Sequence, residues 1–335
     1  LNLIGDREEK LSNIFQQIQS NHKVLVISHE NPDIDAISSV ISIFLFLKLK
    51  GVDNITLLRS GPTPTSIDFL AKDNPLSDTW QDGFTPEYIF ILDCEKVSRT
   101  GDFFKTKIME HRNKATIVNI DHHKTNSFFG DINIIDDKSS STCEILAQYL
   151  LDDNADNDLA TALLAGIVSD TGRFRYSNTT EKTLQIVSKL VSLGADLFII
   201  NENIERNLLL EGILLWGEIM SHARESANKK VIWSNVTAEQ YTKTQNVQEV
   251  VGSDLINQLM RSRFADLAIL FVEQGDGNVR VSLRSRPPID SSIVAKAFKG
   301  GGHVQASGCK INGTLDEAEK AILRFVNENY SNLEA

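Results

Sequence analysis

The chain has 335 residues, with 34 Lys and Arg against 45 Asp and Glu, a formal charge of −11, and 41% hydrophobic against 24% charged residues. These proportions describe a globular protein long enough to bury one or two cores, and they exclude disordered and collagen-like classes. The acid excess argues against coating long nucleic acid by bulk charge, while leaving room for a local basic pocket. Three scattered cysteines, Cys94, Cys143 and Cys309, exclude a disulfide framework and a cysteine zinc site. With a charged opening segment unlike a signal peptide, they point to the cytoplasm. The longest apolar stretch, Ile37 to Leu47, is interrupted by three serines and closed by Lys48. It falls short of the ~20 residues that span a bilayer, so no membrane role is expected.

In chain order, Lys10 to Gln19 has apolar residues at helical spacing. Val24 to Ile27 is a short continuous apolar run, the pattern of a strand buried on both faces. Ala36 to Leu49 reads as a helix ending near Gly51. Ile55 to Leu58, Tyr88 to Leu92 and Thr116 to Ile120 read as further strands, and Ser141 to Leu151 and Leu159 to Val168 as helices. This alternation predicts an α/β fold with a doubly wound parallel sheet. Glu181 to His222 reads as helical with a turn at Gly194, and the reading assigns 201–225 to a helical linker. It places residues 1–200 in a first domain and 226–335 in a smaller α/β domain with a mixed sheet. There, Leu267 to Glu273 and Asn278 to Arg284 flank Gly275-Asp276-Gly277, a hairpin signal. Period two sets Arg280, Ser282 and Arg284 on one face of the second strand. The charge is uneven: residues 226–335 carry +1 and residues 1–225 carry −12.

The chemistry gathers where strands end. After Val24 to Ile27 come His29, Asp33 and Asp35. Asp93 follows Tyr88 to Leu92, and Asp121-His122-His123 follow Thr116 to Ile120. The carboxyl ends of parallel strands meet in one crevice, and Asp170, after the helix at 159–168, can join from a loop. Any one such aspartate is more often a helix cap or turn residue. Together they form a density of carboxylates that like-charge repulsion forbids without cations. Carboxylate with imidazole suits Mn²⁺ first, with Mg²⁺, Fe²⁺ or Zn²⁺ as alternatives. Two such ions sharing a carboxylate and a water suit in-line attack on phosphorus.

The segments His29-Glu30-Asn31-Pro32-Asp33-Ile34-Asp35, Leu92-Asp93, Asp121-His122-His123 and Ser169-Asp170-Thr171-Gly172 resemble the four motifs of the DHH phosphoesterase superfamily. The second lobe resembles the DHHA1 domain through Ser282-Leu283-Arg284-Ser285 and Gly300-Gly301-Gly302-His303. The two-lobe build resembles the branch of bifunctional oligoribonucleases and 3′-phosphoadenosine-5′-phosphate (pAp) phosphatases. By position, the resemblance implies one ion held by His29, Asp33 and Asp93. It implies a second held by Asp35, Asp93, His122 and Asp170, with Asp93 bridging. Asp121 would orient an imidazole from behind, and His123 would contact a phosphate oxygen or assist the leaving group. One departure is Ile34, where many relatives carry glycine. Ile disfavours a positive φ, so a slightly different loop is expected there.

In the second lobe, Arg284 with Ser282 suits a bidentate phosphate grip. Gly301, Gly302 and His303 suit close approach of a ligand phosphate to backbone, although a plain flexible turn reads equally well from the glycines alone. Arg261, Arg263 and Arg286 are candidate helpers, as are Arg99 and Asn126 beside the first-lobe motifs. The implied substrates are short RNA oligonucleotides and pAp rather than long nucleic acid, and a homodimer is compatible with the pattern. The alternatives are a soluble phosphodiesterase for linear or cyclic dinucleotides and a non-catalytic nucleotide-binding module. Retention of every ligand disfavours the module.

Overall fold

A computed structural model of the chain describes residues 3–74, 76–151, 154–205, 209–242, 253–302 and 304–330. They form two compact units, Leu1–Asn207 and Leu208–Ala335. The first contains α1 (Leu3–Gln17), β1 (Val24–Ile27), α2 (Ile34–Leu49), β2 (Ile55–Leu57), α3 (Asp68–Ala71), β3 (Tyr88–Leu92) and α4 (Asp102–Glu110). It continues through β4 (Thr116–Asp121), β5 (Ile132–Ile135), α5 (Thr142–Leu150), α6 (Asn157–Asp170), α7 (Glu181–Ser192) and α8 (Leu197–Glu205).

Its five strands are all parallel, in the order β2-β1-β3-β4-β5. The apolar runs are continuous because both sheet faces are covered. Val24, Val26, Phe90, Leu92, Val118 and Ile120 face a core shared with α1, α2, α5 and α6. The alternate residues Leu25, Ile27, Ile89, Ile91 and Ile117 face Phe104 and Ile108 of α4. Burying one such side chain is worth about 1.5–3 kcal/mol, so a one-residue register slip would forfeit a whole face. The chain runs from β1 out to β2 and then returns to the other side of β1 for β3. That reversal opens a crevice between the carboxyl ends of β1 and β3, where His29 and Asp93 emerge.

The second unit contains α9 (Leu210–Ser221), β6 (Arg224–Glu225), β7 (Val231–Val236), α10 (Ala238–Thr242), α11 (Ser253–Leu259), β8 (Leu267–Glu273) and β9 (Asn278–Ser285). It ends with α12 (Ser291–Ala297), β10 (Gly301–Gly302), β11 (Ala306–Asn312) and α13 (Leu315–Asn329). Its sheet order is β10-β11-β9-β8-β7-β6. Only β7 and β8 run parallel, so the sheet is mixed. Central β8 is buried on both faces, one against α12 and α13, the other against α9 and α11. The β8–β9 hairpin turns through Gly275 and Gly277, at φ 65° and 78°.

The structure departs from the sequence reading in three places. The span Glu181 to His222 is not one helical run but α7, α8 and α9, with Gly194 at φ 101° making the first break. Strand β5 was not anticipated, because this sheet-edge strand is only half-buried and four residues long. Ile34 opens α2 in ordinary helical backbone, and the left-handed residue of its loop is Asn31, at φ 52°. Among the described residues no single helix is long and apolar enough to cross a membrane.

Candidate metal centre

Each donor is placed by a local device. Asp33 caps α2, its Oδ1 accepting the Ala36 N–H at 3.0 Å, and its Oδ2 lies 3.9 Å from His29 Nε2. The capping and ligand readings of this aspartate are thus compatible, since each uses a different oxygen. His29 is buried, and its Nδ1 lies 2.9 Å from the Glu30 carbonyl, the bond that fixes Nε2 as the free ligand atom. Asp93 follows β3 at φ 50°, a sparsely populated conformation that turns its carboxylate back over the strand ends. Asp35 is fully buried, and its two oxygens accept the Thr142 and Cys143 N–H groups of α5 at 2.8 and 3.1 Å. Asp170 is the last residue of α6.

Potential ligand atoms fall into groups lying within 4.8 Å of one another: His29, Asp33 and Asp93; Asp35, His122 and Asp170; and Asp93, His122 and His123. Asp93 joins the first two. Its Oδ2 lies 3.5 Å from His29 Nε2, and its Oδ1 lies 3.5 Å from His122 Nε2, which is itself 3.3 Å from Asp170 Oδ2. The third group is weaker as a ligand set because His123 Nδ1 is already bonded to Asp121 Oδ1 at 2.7 Å.

The electrostatics describe a site built for cations. Burial raises Asp35, with Asp93 and Asp33 repelling its charge, to a pKa of about 8. Burial, then Asp35, Asp33 and Asp93, pushes Asp170 well above the carboxylate range. Asp93 goes the other way: against the cost of burial, the bond to His29 and the charges of the three histidines hold it below the usual range. Burial opposes the charge on His29, but its bond to Asp93 and the charges of Asp33 and Asp93 bring it to about 9. His122 is lowered by burial, the neutral state a metal ligand needs. His123 rises to about 9 against burial, mainly through its bond to Asp121. Divalent charge among these atoms would reverse the repulsion that raises Asp35 and Asp170, so this donor set fits hard or borderline cations.

In the second unit, register gathers much of the expected substrate set. Gly301 pairs with Gly308, which pairs with Ser282, while Arg284 lies opposite Ala306. Arg284 Nη1 donates to the Leu283 carbonyl at 3.0 Å. Arg261 is exposed and bonds Gln258 at 3.1 Å. Arg286 braces the loop after α11 through the Met260, Ser262 and Ala265 carbonyls, a structural role rather than that of a ligand helper. His303 lies outside the described residues. In the first unit Arg99 is exposed, and its carbonyl accepts the Glu30 N–H at 2.5 Å, which sets it beside the His29 loop.

Two family models match in succession. The DHH family N-terminal domain matches residues 23–167 and the DHHA1 domain matches residues 228–332, together about three-quarters of the chain. The chain belongs to the DHH–DHHA1 family. It is 26% identical over 308 residues to the bifunctional oligoribonuclease and PAP phosphatase of Thermus thermophilus, covering 91% of this chain and 89% of that protein. It is 23% identical to the cyclic-di-AMP phosphodiesterase of Geobacillus thermodenitrificans, covering 93% of this chain and 48% of that protein. A crystal structure of an exopolyphosphatase-related protein from Bacteroides fragilis shares the fold, with a TM-score of 0.87 and 22% identity over 98% of each chain.

The DHH segment contains every first-unit donor except Asp170, which lies just beyond its matched end. Asn126 has a different place from the one expected at the scissile phosphate. It is buried, and its amide donates to Asp121 Oδ2 at 2.6 Å, Asn119 Oδ1 at 2.9 Å and the Cys94 carbonyl at 3.2 Å, while its own oxygen accepts the Phe128 N–H. Its polar atoms hold Asp121, not a ligand. Asn119, which the sequence reading passed over, donates to the Ile91 and Cys94 carbonyls on either side of Asp93. One signal was available: a polar residue at the centre of the apolar run Thr116 to Ile120 needs a partner when buried.

Proposed function

We propose that this protein is a two-metal phosphoesterase that hydrolyses short oligoribonucleotides to mononucleotides and pAp to AMP, with Mn²⁺ as its first-choice ion. The observation that carries the reading is the Asp93 carboxylate, whose two oxygens face two separate donor sets. In this reading His29, Asp33 and Asp93 hold one ion, and Asp35, Asp93, His122 and Asp170 hold the other. Bound there, the ions supply Lewis-acid activation of water and neutralise phosphate charge. His123, held charged by Asp121, contacts a phosphate oxygen or protonates the leaving ribose oxygen as its bond to phosphorus breaks. Arg284, Ser282, Gly301 and His303 bind the substrate's terminal nucleotide, and Arg99 and Arg261 flank the phosphates. Gly302 is reassigned: a Cβ there would meet the Ala306 carbonyl oxygen and Ser307 Cα at 2.6 Å, so strand packing alone demands glycine. At Gly301 a Cβ would meet nothing within 4 Å, which leaves that open backbone to a ligand.

The similarity to oligoribonucleases over most of both chains supports the choice of substrates. The similarity to cyclic-di-AMP phosphodiesterases supports a second reading, a phosphodiesterase for linear or cyclic dinucleotides. Mn²⁺-dependent hydrolysis of di- to pentaribonucleotides, pAp, pApA and cyclic di-AMP, compared side by side, separates the two. Turnover of short RNA and pAp is expected, and turnover of the adenine dinucleotides alone would favour the second reading. Wild-type rates in Asp93→Ala or His122→Ala would overturn both.

A further inference from the structure

The first turn of α5 reaches the centre from behind the donors. We infer that Thr142, which is no ligand, is a positioning residue that fixes how Asp93 divides its oxygens between the two donor sets. The inference rests on the two-ion reading above and deepens it.

Thr142 is fully buried, and its Oγ1 donates to Asp93 Oδ1 at 3.1 Å. Its backbone N–H donates to Asp35 Oδ2 at 2.8 Å. One residue therefore touches two carboxylates that arrive from different parts of the chain. A carboxylate oxygen offers about two acceptor sites. With one site of Oδ1 taken by the hydroxyl, the other is left toward His122, and Oδ2 is left toward His29 and Asp33. Without that bond the carboxylate torsion is soft, because terminal sp³–sp² rotations have broad wells.

The turn that carries Thr142 is itself braced. Glu144 is buried, and its Oε2 accepts the Ser140 N–H at 3.1 Å, the Ser140 hydroxyl at 2.5 Å and the Thr183 hydroxyl at 2.8 Å. Asn178 Nδ2 donates to the carbonyls of both Ser140 and Asp170, at 3.1 and 3.0 Å. The same web thus holds the Thr142 turn and the backbone of Asp170. Thr142 acts on the Oδ1 side, so its loss should fall on the ion held by Asp35, His122 and Asp170.

The test is calorimetric titration of the metal-free, full-length protein with Mn²⁺. Thr142→Val keeps the shape and removes the hydroxyl, while Thr142→Ser keeps the hydroxyl and removes the methyl. Removing an outer partner of a ligand typically costs 10–100-fold in metal affinity. In T142V one of two binding events should weaken by about tenfold or more. That event should be the one missing in Asp170→Asn, the other should stay near wild type, and T142S should match wild type. Two unchanged events in T142V overturn the inference while leaving the two-ion reading intact. Equal weakening of both events, unrescued by T142S, also overturns it, because that is the mark of a merely structural threonine. Wild-type protein that takes up no Mn²⁺ overturns the two-ion reading and the inference with it. If T142V does not melt cooperatively, T142S against T142A carries the same comparison.

Discussion

Gly166 lies in α6, and by helix propensity alone Gly166→Ala should stabilise the protein by up to about 1 kcal/mol. The structure reverses the sign. A Cβ at residue 166 would sit 2.5 Å from Asp35 Oδ1 and 2.8 Å from Cys143 Cβ, and closer still to Cys143 Sγ. Non-bonded heavy atoms are comfortable at about 3.5 Å or more, so roughly 1 Å must be found. Asp35 cannot easily supply it, because both its oxygens are bonded to the first turn of α5. Overpacking a dense interior costs ~1–3 kcal/mol, which equals or exceeds the propensity gain and leaves a net loss of up to about 2 kcal/mol. Whatever movement does occur displaces Asp35, a proposed ligand. Thermal denaturation with and without Mn²⁺ checks both effects: G166A should melt lower than wild type, and the rise in melting temperature on adding Mn²⁺ should shrink. A variant as stable as wild type with an undiminished Mn²⁺ response would refute the argument.

Asp93→Asn keeps the side-chain shape but removes the shared charge, and Mn²⁺-dependent hydrolysis of a short RNA should fall by roughly two to three orders of magnitude in kcat. Gly302→Ala should lower stability by ~1–3 kcal/mol in a denaturant melt, because φ is 130° and the new Cβ meets backbone. Gly301→Ala should leave the melt unchanged and raise KM. In the metal-free protein at pH 7, Asp35 (about 8) and His29 (about 9) hold protons that a cation must displace. Titration in buffers of different ionisation enthalpy should therefore show release of about two protons, vanishing above about pH 10. Both folded values lie above the ordinary 3.8 and 6.5. The stability that charged His29 contributes is present below pH 6.5 and is lost as pH rises through about 9, while Asp35 penalises the fold increasingly from 3.8 to about 8. The metal-free protein should thus lose stability as pH rises over that range, and the gain from Mn²⁺ should grow. A flat melting temperature from pH 5 to 9 would contradict this.

The sequence alone determined the strands of the first sheet and the residues at their ends. Burial on both faces demands unbroken apolar runs such as Val24 to Ile27 and Tyr88 to Leu92, and a parallel sheet delivers whatever follows them to one crevice. That is why His29, Asp33, Asp93 and His122 were legible without coordinates. Half-buried β5 lacked the continuous pattern, and the three helices between Glu181 and His222 shared one periodicity that hid their breaks. Tertiary structure decided the rest. It matched Asp121 with His123, turned Asn126 inward to hold Asp121, and required Gly302 for strand packing. It also placed Thr142 against Asp35 and Asp93, 107 and 49 residues away in the chain. The reason is physical: periodicity records which face of an element is buried, a local property. A hydrogen bond between distant segments depends on distances of a few ångströms, and those exist only once the segments have packed.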